Sequence, residues 1–216
     1  MYHQRVNGVA GFVLAGGRSS RMGRDKAFLE LGGQTLLARA LSLAGTVTEQ
    51  VSIVGASEIF LGHGGVVEDL FPGRGPLGGI HAALISSATE LNLILAVDLP
   101  SVEPRFLAYL VNAASHSGAV VTLAHAAGGW QPLCAVYRRE FATIAEPSLR
   151  AESNRIDTLL VRVETRVIRE QELEGVGFSA TMFRNLNTPE ELERAELSLR
   201  SAAGNCTADA PRIKAL

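Results

Sequence analysis

The chain reads as an α/β protein built on a mainly parallel sheet, and three observations predict this. Apolar runs of four to seven residues, such as Val9–Ala15, Val51–Val54 and Leu93–Val97, are too short for helices and end at glycine or an acid. Stretches with helical spacing of apolar residues separate them, as in Leu36, Leu37, Ala40, Leu41 and Ala44. Strand–helix alternation through the first two-thirds of the chain argues for parallel strands covered on both faces.

Taken in order, Val9–Ala15 is the first strand, broken at Gly16-Gly17. Phe28 to Leu31 is a short extended piece turned by Gly32-Gly33. Thr35 caps the first helix and Gly45 ends it. Val51–Val54 is the second strand, a short helix carries Ile59 and Phe60, and Val66-Val67 is the third strand. Glu68 to Gly79 reads as a loop, and a helix begins at Ile80. Leu93–Val97 is the clearest buried strand, and a helix with Phe106, Leu107, Leu110 and Val111 on one face starts at Pro104. Ala119–Ala124 is a further strand. Gln131–Tyr137 is another, placed at an edge or a first position because Pro132 cannot donate to a ladder. Helical material from Arg138 to Leu160, an extended Val161–Ile168 and a short strand at Phe183-Arg184-Asn185 follow. Thr188, Pro189 and Glu191 have the spacing of a capping box for a last helix running to about Arg200. Residues 201–216 turn small and polar, which predicts a flexible tail. The expected organisation is one domain over 1–216 with an ordered core from about 8 to 199.

Bulk composition narrows the function. Twenty Lys and Arg face 22 Asp and Glu, a net charge of −2 that asks for neither a nucleic-acid polymer nor an acidic membrane. Two cysteines, Cys134 and Cys206, have no metal-ligand spacing. No apolar run reaches the ~18 residues of a membrane span, and Met1–Asn7 lacks the apolar segment of a secretory signal. A cytoplasmic location is expected.

The stretch with the most chemistry is Leu14-Ala15-Gly16-Gly17-Arg18-Ser19-Ser20-Arg21-Met22-Gly23-Arg24-Asp25-Lys26. A glycine turn at a strand's carboxyl end lets backbone approach a ligand and offers N–H groups to an anion. Arg18, Arg21, Arg24 and Lys26 load the same loop with cations. Such a loop suits a polyphosphate. It is not a Walker loop, because Asp25 precedes Lys26 and Ala27 follows it. Gly73-Arg74-Gly75-Pro76-Leu77-Gly78 has the letters of a dinucleotide fingerprint, but it does not follow a clean apolar strand. Asp98, directly after the most apolar strand, sits where a carboxylate enters a ligand crevice. It fits either a Mg²⁺ ligand or a turn cap. His63, His81, His116 and His125 share no motif spacing, and Trp130 either shapes a pocket or packs.

These blocks resemble the molybdenum cofactor guanylyltransferases, the MobA type of nucleotidyltransferase. The resemblance rests on Leu14-Ala15-Gly16-Gly17, Arg21-Met22-Gly23, Asp25-Lys26, Glu68-Asp69, Gly75–Ile80, Asp98-Leu99-Pro100 and Asn185–Leu192, in that order. It implies a Rossmann-like three-layer domain with a mixed, mainly parallel sheet. It implies transfer of GMP from GTP to molybdopterin with release of pyrophosphate, with Mg²⁺ as cofactor. Lys26, Arg21 and Asp98 would be catalytic. Leu14, Ala15, Gly16, Gly17, Lys26, Asp69, Gly78 and Asp98 would bind nucleotide, Asp98 the metal, and Asn185 and Asn187 the acceptor. The partners implied are GTP, molybdopterin and other cofactor-biosynthesis or molybdoenzyme-loading proteins. Related cytidylyltransferases usually carry Leu-Ala-Ala-Gly, so Gly16 points to guanine. Three other readings stay open at this point: a cytidylyltransferase on the same pterin, a sugar-phosphate nucleotidyltransferase, and a non-catalytic nucleotide-binding module. One departure is Leu95-Ala96-Val97, where many guanylyltransferases of this type have Pro-Cys before the acid.

Overall fold

A computed structural model of the chain describes residues 8–16, 26–188 and 190–197. Strand β1 (Val9–Leu14) is buried along its whole length and lies inside the sheet, third from one edge. A small hairpin, β2 (Glu30–Leu31) and β3 (Gln34–Thr35), leads into helix α1 (Leu36–Ala44). The Thr35 hydroxyl accepts from Ala38 N at 3.1 Å, so the expected cap forms. Then come β4 (Val51–Val54), α2 (Ser57–Phe60) and β5 (Gly65–Val67), which complete the β5–β4–β1 half of the sheet in parallel register.

Helix α3 (Pro76–Ser86) starts four residues before the expected Ile80. Gly75 takes a positive φ of 67° and Pro76 stands at the first position, where its missing N–H costs nothing. The glycines at 78 and 79 disguise this turn as loop, since each costs a helix about 1 kcal/mol against alanine. Strand β6 (Leu91–Ala96) pairs parallel to β1, and α4 (Pro104–Ser115) follows.

The remaining strands make the sheet mixed. β7 (Val121–Ala126) and β8 (Gly129–Arg138) form a hairpin, and β8 inserts antiparallel between β6 and β7. The order is β5-β4-β1-β6-β8-β7, closed by β9 (Thr165–Arg169), which lies parallel to β7. Before β9 come α5 (Phe141–Arg150) and α6 (Ile156–Leu160), and after it α7 (Glu170–Gly175). The expected edge position of Gln131–Tyr137 is therefore corrected, because β8 is interior. Pro132 is tolerated there because the β6 ladder starts at Cys134 and the β7 register shifts between Leu123 and His125. The expected strand at 183–185 is also corrected. Ala180–Phe183 is a 3-10 turn that inserts Met182 and Phe183 into the core, and extended chain without sheet pairing follows it.

Two apolar layers enclose the sheet. One packs α1, α4 and Phe178–Leu186 on one face, with Phe106 edge-on to Phe178 and Phe183. The other packs α3, α5 and α6 on the opposite face around Tyr137 and Phe141. The capping box forms at the last described helix, residues 190–197. Glu191 N donates to Thr188 Oγ1 at 3.2 Å, and Glu191 Oε2 accepts from Thr188 N at 3.0 Å. Its onward run toward Arg200 and the tail 201–216 lie outside the described residues.

Candidate active site

Parallel strands put their carboxyl ends on one edge, and β1, β4 and β6 all end there. Val97 N donates to Leu14 O at 3.1 Å, which fixes the end of β6 against β1 and sets Asp98 just beyond the sheet. Lys26 approaches from the other side of the signature loop. It opens a 3-10 turn (Lys26–Phe28) anchored by Ala27, which is buried, and by Phe28, whose ring stacks on Phe60 at 5.8 Å between centroids. Lys26 Nζ lies 2.6 Å from Asp98 Oδ2, and the two side chains are only 12% and 21% exposed. Water screens such a pair far less than one at the surface.

The third member comes from the far end of the chain. Leu186 N donates to Asp98 O at 3.0 Å, and Glu191 Oε2 accepts from Asn187 N at 2.6 Å. Asn187 is thereby held so that its Oδ1 accepts from Lys26 Nζ at 3.0 Å. The capping box thus starts a helix and positions a site residue at once. Asn185, two residues earlier, is exposed and is not part of this cluster. Sequence spacing gave no hint of the Lys26–Asp98–Asn187 contact, whose members lie 72 and 161 residues from Lys26.

A second group lies at the start of α3. Asp69 Oδ1 accepts from Phe71 N at 2.8 Å. A Cβ on Gly78 would stand 2.7 Å from both carboxylate oxygens of Asp69, so only glycine lets the first turn of α3 come this close. The loop between them is braced from the end of α5 and the turn after it. Arg74 pairs with Glu152 at 2.6 Å, and the Phe71 ring lies between the His81 ring, edge-on at 5.1 Å, and the Arg150 guanidinium at 5.8 Å. Among the described residues neither ring nitrogen of His81 has a hydrogen-bond partner, and burial holds its imidazole below the usual range.

Two expectations about the glycine turn change. The N–H groups of Ala15 and Gly16 both donate to Val54 O at 3.0 Å, so neither is free for an anion. Gly16 has no positive φ. A Cβ there would press on Gly55 Cα at 3.3 Å, so close packing of β1 on β4 accounts for this glycine without reference to a base. Leu14 and Ala15 are buried beside it. Gly17 and Arg21 lie outside the described residues. Cys134 is buried on β8, and desolvation pushes its thiol up to about 12, which removes it as a nucleophile.

The lysine–aspartate–asparagine cluster and the carboxylate packed on a helix start both lie at the carboxyl edge, where open α/β enzymes bind their ligands. The MobA-like NTP transferase domain model matches residues 11–166. A probable molybdenum cofactor guanylyltransferase of Pelotomaculum thermopropionicum is 35% identical over 190 residues, covering 87% of this chain and 91% of that one. The molybdenum cofactor guanylyltransferase of Desulfosudis oleivorans is 34% identical over 200 residues, covering 91% and 98%. Among solved structures, molybdopterin-guanine dinucleotide biosynthesis protein A from Archaeoglobus fulgidus superimposes with a TM-score of 0.78 at 26% identity, covering 89% of this chain and 99% of that one. The chain belongs to the MobA-like NTP transferase family and is a nucleotidyltransferase.

Proposed function

We propose that the chain moves GMP from GTP to the phosphate of molybdopterin and releases pyrophosphate. The observation that supports this most is the Lys26–Asp98–Asn187 cluster at the carboxyl edge, seen in a chain whose relatives carry that activity in their names. In the reaction a terminal oxygen of the acceptor phosphate attacks the α-phosphorus of GTP. A new P–O–P linkage forms as the bond to the bridging oxygen breaks, and pyrophosphate leaves with that electron pair. The attacking oxygen is already ionised, so no strong general base is needed. Catalysis then consists of positioning and charge stabilisation.

Lys26 is a compact cation on a flexible stem, suited to the oxygens on which charge builds. Asp98 and Asn187 hold it in place. Asp69 and the Gly78 turn would receive the guanosine, and Asn187 and Asn185 the acceptor. Arg21 would add charge to the departing pyrophosphate. Gly17 would extend the phosphate contact, since the Ala15 and Gly16 amides are already used.

The residues fit Mg²⁺. Among the described residues no cluster of three or more His, Cys, Asp or Glu could hold a metal by itself. Mg²⁺ needs no such cage, because one or two carboxylates suffice when water and phosphate oxygens fill the other positions. Asp98 offers an oxygen, Oδ1, that meets no donor among the described residues. A magnesium ion held there would neutralise charge on the phosphate oxygens. Among the described residues no helix is long and apolar enough to cross a membrane, and we take the reaction to be cytoplasmic.

The test is pyrophosphate release from GTP, CTP, ATP and UTP with molybdopterin and Mg²⁺. Release that needs acceptor and prefers GTP is expected. A preference for CTP would assign the chain to cytidylyl transfer, and no release with any nucleotide would reject the transferase reading for this acceptor.

A further inference from the structure

The far half of the carboxyl edge carries a row of side chains that the reaction described so far does not use. β7 and β9 run parallel to β6, so their carboxyl ends reach the same edge as Asp98, and β8 begins there. His125 stands opposite Trp130 of β8 and opposite Arg169 of β9. Directly opposed residues share a face of the sheet. The face is identified by its neighbours. Leu123 and Val121, two and four residues before His125, belong to the α3/α5 layer, whereas Ala124, Ala126 and Ile168 belong to the other layer. Trp130 packs against that same α3/α5 layer. Arg169, His125 and Trp130 therefore form a row across three strands. The outer two strands of that row are about 10 Å apart at ~4.8 Å per step. His125 and Arg169 are exposed and Trp130 is half-buried.

The row starts on the strand next to β6, and its hairpin end is braced. Gln131 Nε2 donates to Ala126 O at 2.9 Å and to Gly129 O at 3.4 Å, which ties the hairpin end to the strand that carries Trp130. Ala127 and Gly128 both have positive φ, 54° and 81°, as a two-residue turn matched to the strand twist requires. The β6–β8 register ends at Leu95 opposite Cys134. β8 neighbours β6 in the sheet, so Trp130 near its start lies at the carboxyl edge on the strand next to the one that leads into Asp98.

We infer that Trp130 is the stacking platform for the ring system of the acceptor, with His125 and Arg169, further from Asp98, donating to the polar edge of the ring that points away from the reacting phosphate. This rests on the proposed guanylyl transfer and deepens it by naming residues for the acceptor half. An indole offers the largest flat face of any side chain, and the flat pyrimidine ring of a pterin can stack on such a face. Guanosine is served at the opposite half of the sheet by Asp69 and Gly78, so Trp130 is left for the second ring.

The experiment measures KM for molybdopterin and for GTP, and kcat, in the full chain carrying Trp130→Ala, Trp130→Phe or Arg169→Ala. Loss of one base-stacking aromatic weakens binding by about 5- to 100-fold. Trp130→Ala should raise the acceptor KM by that factor and leave the GTP KM within about twofold. Trp130→Phe should recover most of the loss. Arg169→Ala, at an exposed position that leaves folding intact, should raise the acceptor KM without touching GTP. The inference is overturned if Trp130→Ala and Arg169→Ala leave the acceptor KM unchanged, if Trp130→Ala acts on GTP instead, or if Phe is no better than Ala. Wild-type protein that fails to transfer GMP to molybdopterin would refute the underlying reading, and this inference with it. An active wild type with acceptor-insensitive variants would refute this inference alone.

Discussion

Gly78→Ala sets a gain in helix stability against a loss of nucleotide binding, and the structure gives both magnitudes. Alanine inside α3 is worth about 1 kcal/mol over glycine. Its Cβ would stand 2.7 Å from both Asp69 carboxylate oxygens and 3.0 Å from Phe71 O. Close carbon–oxygen contacts ordinarily run ~3.3–3.6 Å, so Asp69 must retreat by roughly half an ångström to an ångström. Overpacking of this kind costs about 1–3 kcal/mol. The net change in stability is then between about zero and −2 kcal/mol, a fall in Tm of at most about 8 °C for a domain of this size. Nucleotide binding has no compensating gain. A displacement near 1 Å in a positioning group can cost on the order of 100-fold. The expected result is a GTP KM raised about 10- to 100-fold in steady-state assays, with a Tm lowered by no more than about 8 °C. In an Asp69→Ala background the alanine at 78 should no longer affect KM and should recover part of its ~1 kcal/mol of helix stability, the Phe71 carbonyl contact remaining, a non-additivity that a double-mutant cycle reads directly. A Gly78→Ala enzyme with unchanged GTP KM would refute the placement of guanosine beside Asp69.

Lys26→Met should lower kcat/KM by at least ~10²-fold, as loss of a main electrostatic stabiliser does, while far-UV circular dichroism remains native. Cys134 keeps its proton to about pH 12 when folded but ionises near 9 when unfolded. Its stabilising contribution is complete below pH 9 and is lost between pH 9 and 12, at up to ~1.4 kcal/mol per pH unit. Urea melts across that range should show the fall, and Cys134→Ala should flatten its lower part. His81 behaves in the opposite sense. Burial lowers its folded-state pKa from 6.5, against the opposing pull of Glu146 and Asp69 and with the aid of Arg150. Stability should therefore decline as pH falls below about 6.5, and His81→Leu should blunt that decline in acid melts.

Local chemistry was what the sequence made legible. Thr35 and the Thr188–Glu191 pair specify their caps with their immediate neighbours, and both caps form. Apolar runs marked β1, β4 and β6 because strands buried on both faces have no polar side to confuse the pattern. Long-range facts were not legible. Nothing in Gln131–Tyr137 states that it inserts antiparallel between β6 and β7, and Pro132 argued for an edge. Helix α7 escaped notice because Leu173 is its only buried residue. The signature blocks marked Lys26, Asp98 and Asn187 separately. Their meeting depends on how the loop after β6 catches Leu186, a contact made by backbone atoms that any sequence would supply.

The central claim is that the Lys26–Asp98–Asn187 cluster is where the phosphates react, and Asp98→Asn tests it most directly. Asparagine keeps the size of aspartate and its ability to cap the turn after β6, but a neutral amide is a poorer donor to a hard cation and cannot pair with Lys26 as an ion. The measurement is the rate of pyrophosphate release from GTP with molybdopterin as Mg²⁺ is titrated. A stable variant slowed by at least ~10²-fold, with a raised Mg²⁺ requirement, is the result expected. An Asp98→Asn enzyme running at the wild-type rate at low Mg²⁺ would show that Asp98 only caps its turn and that the chemistry lies elsewhere.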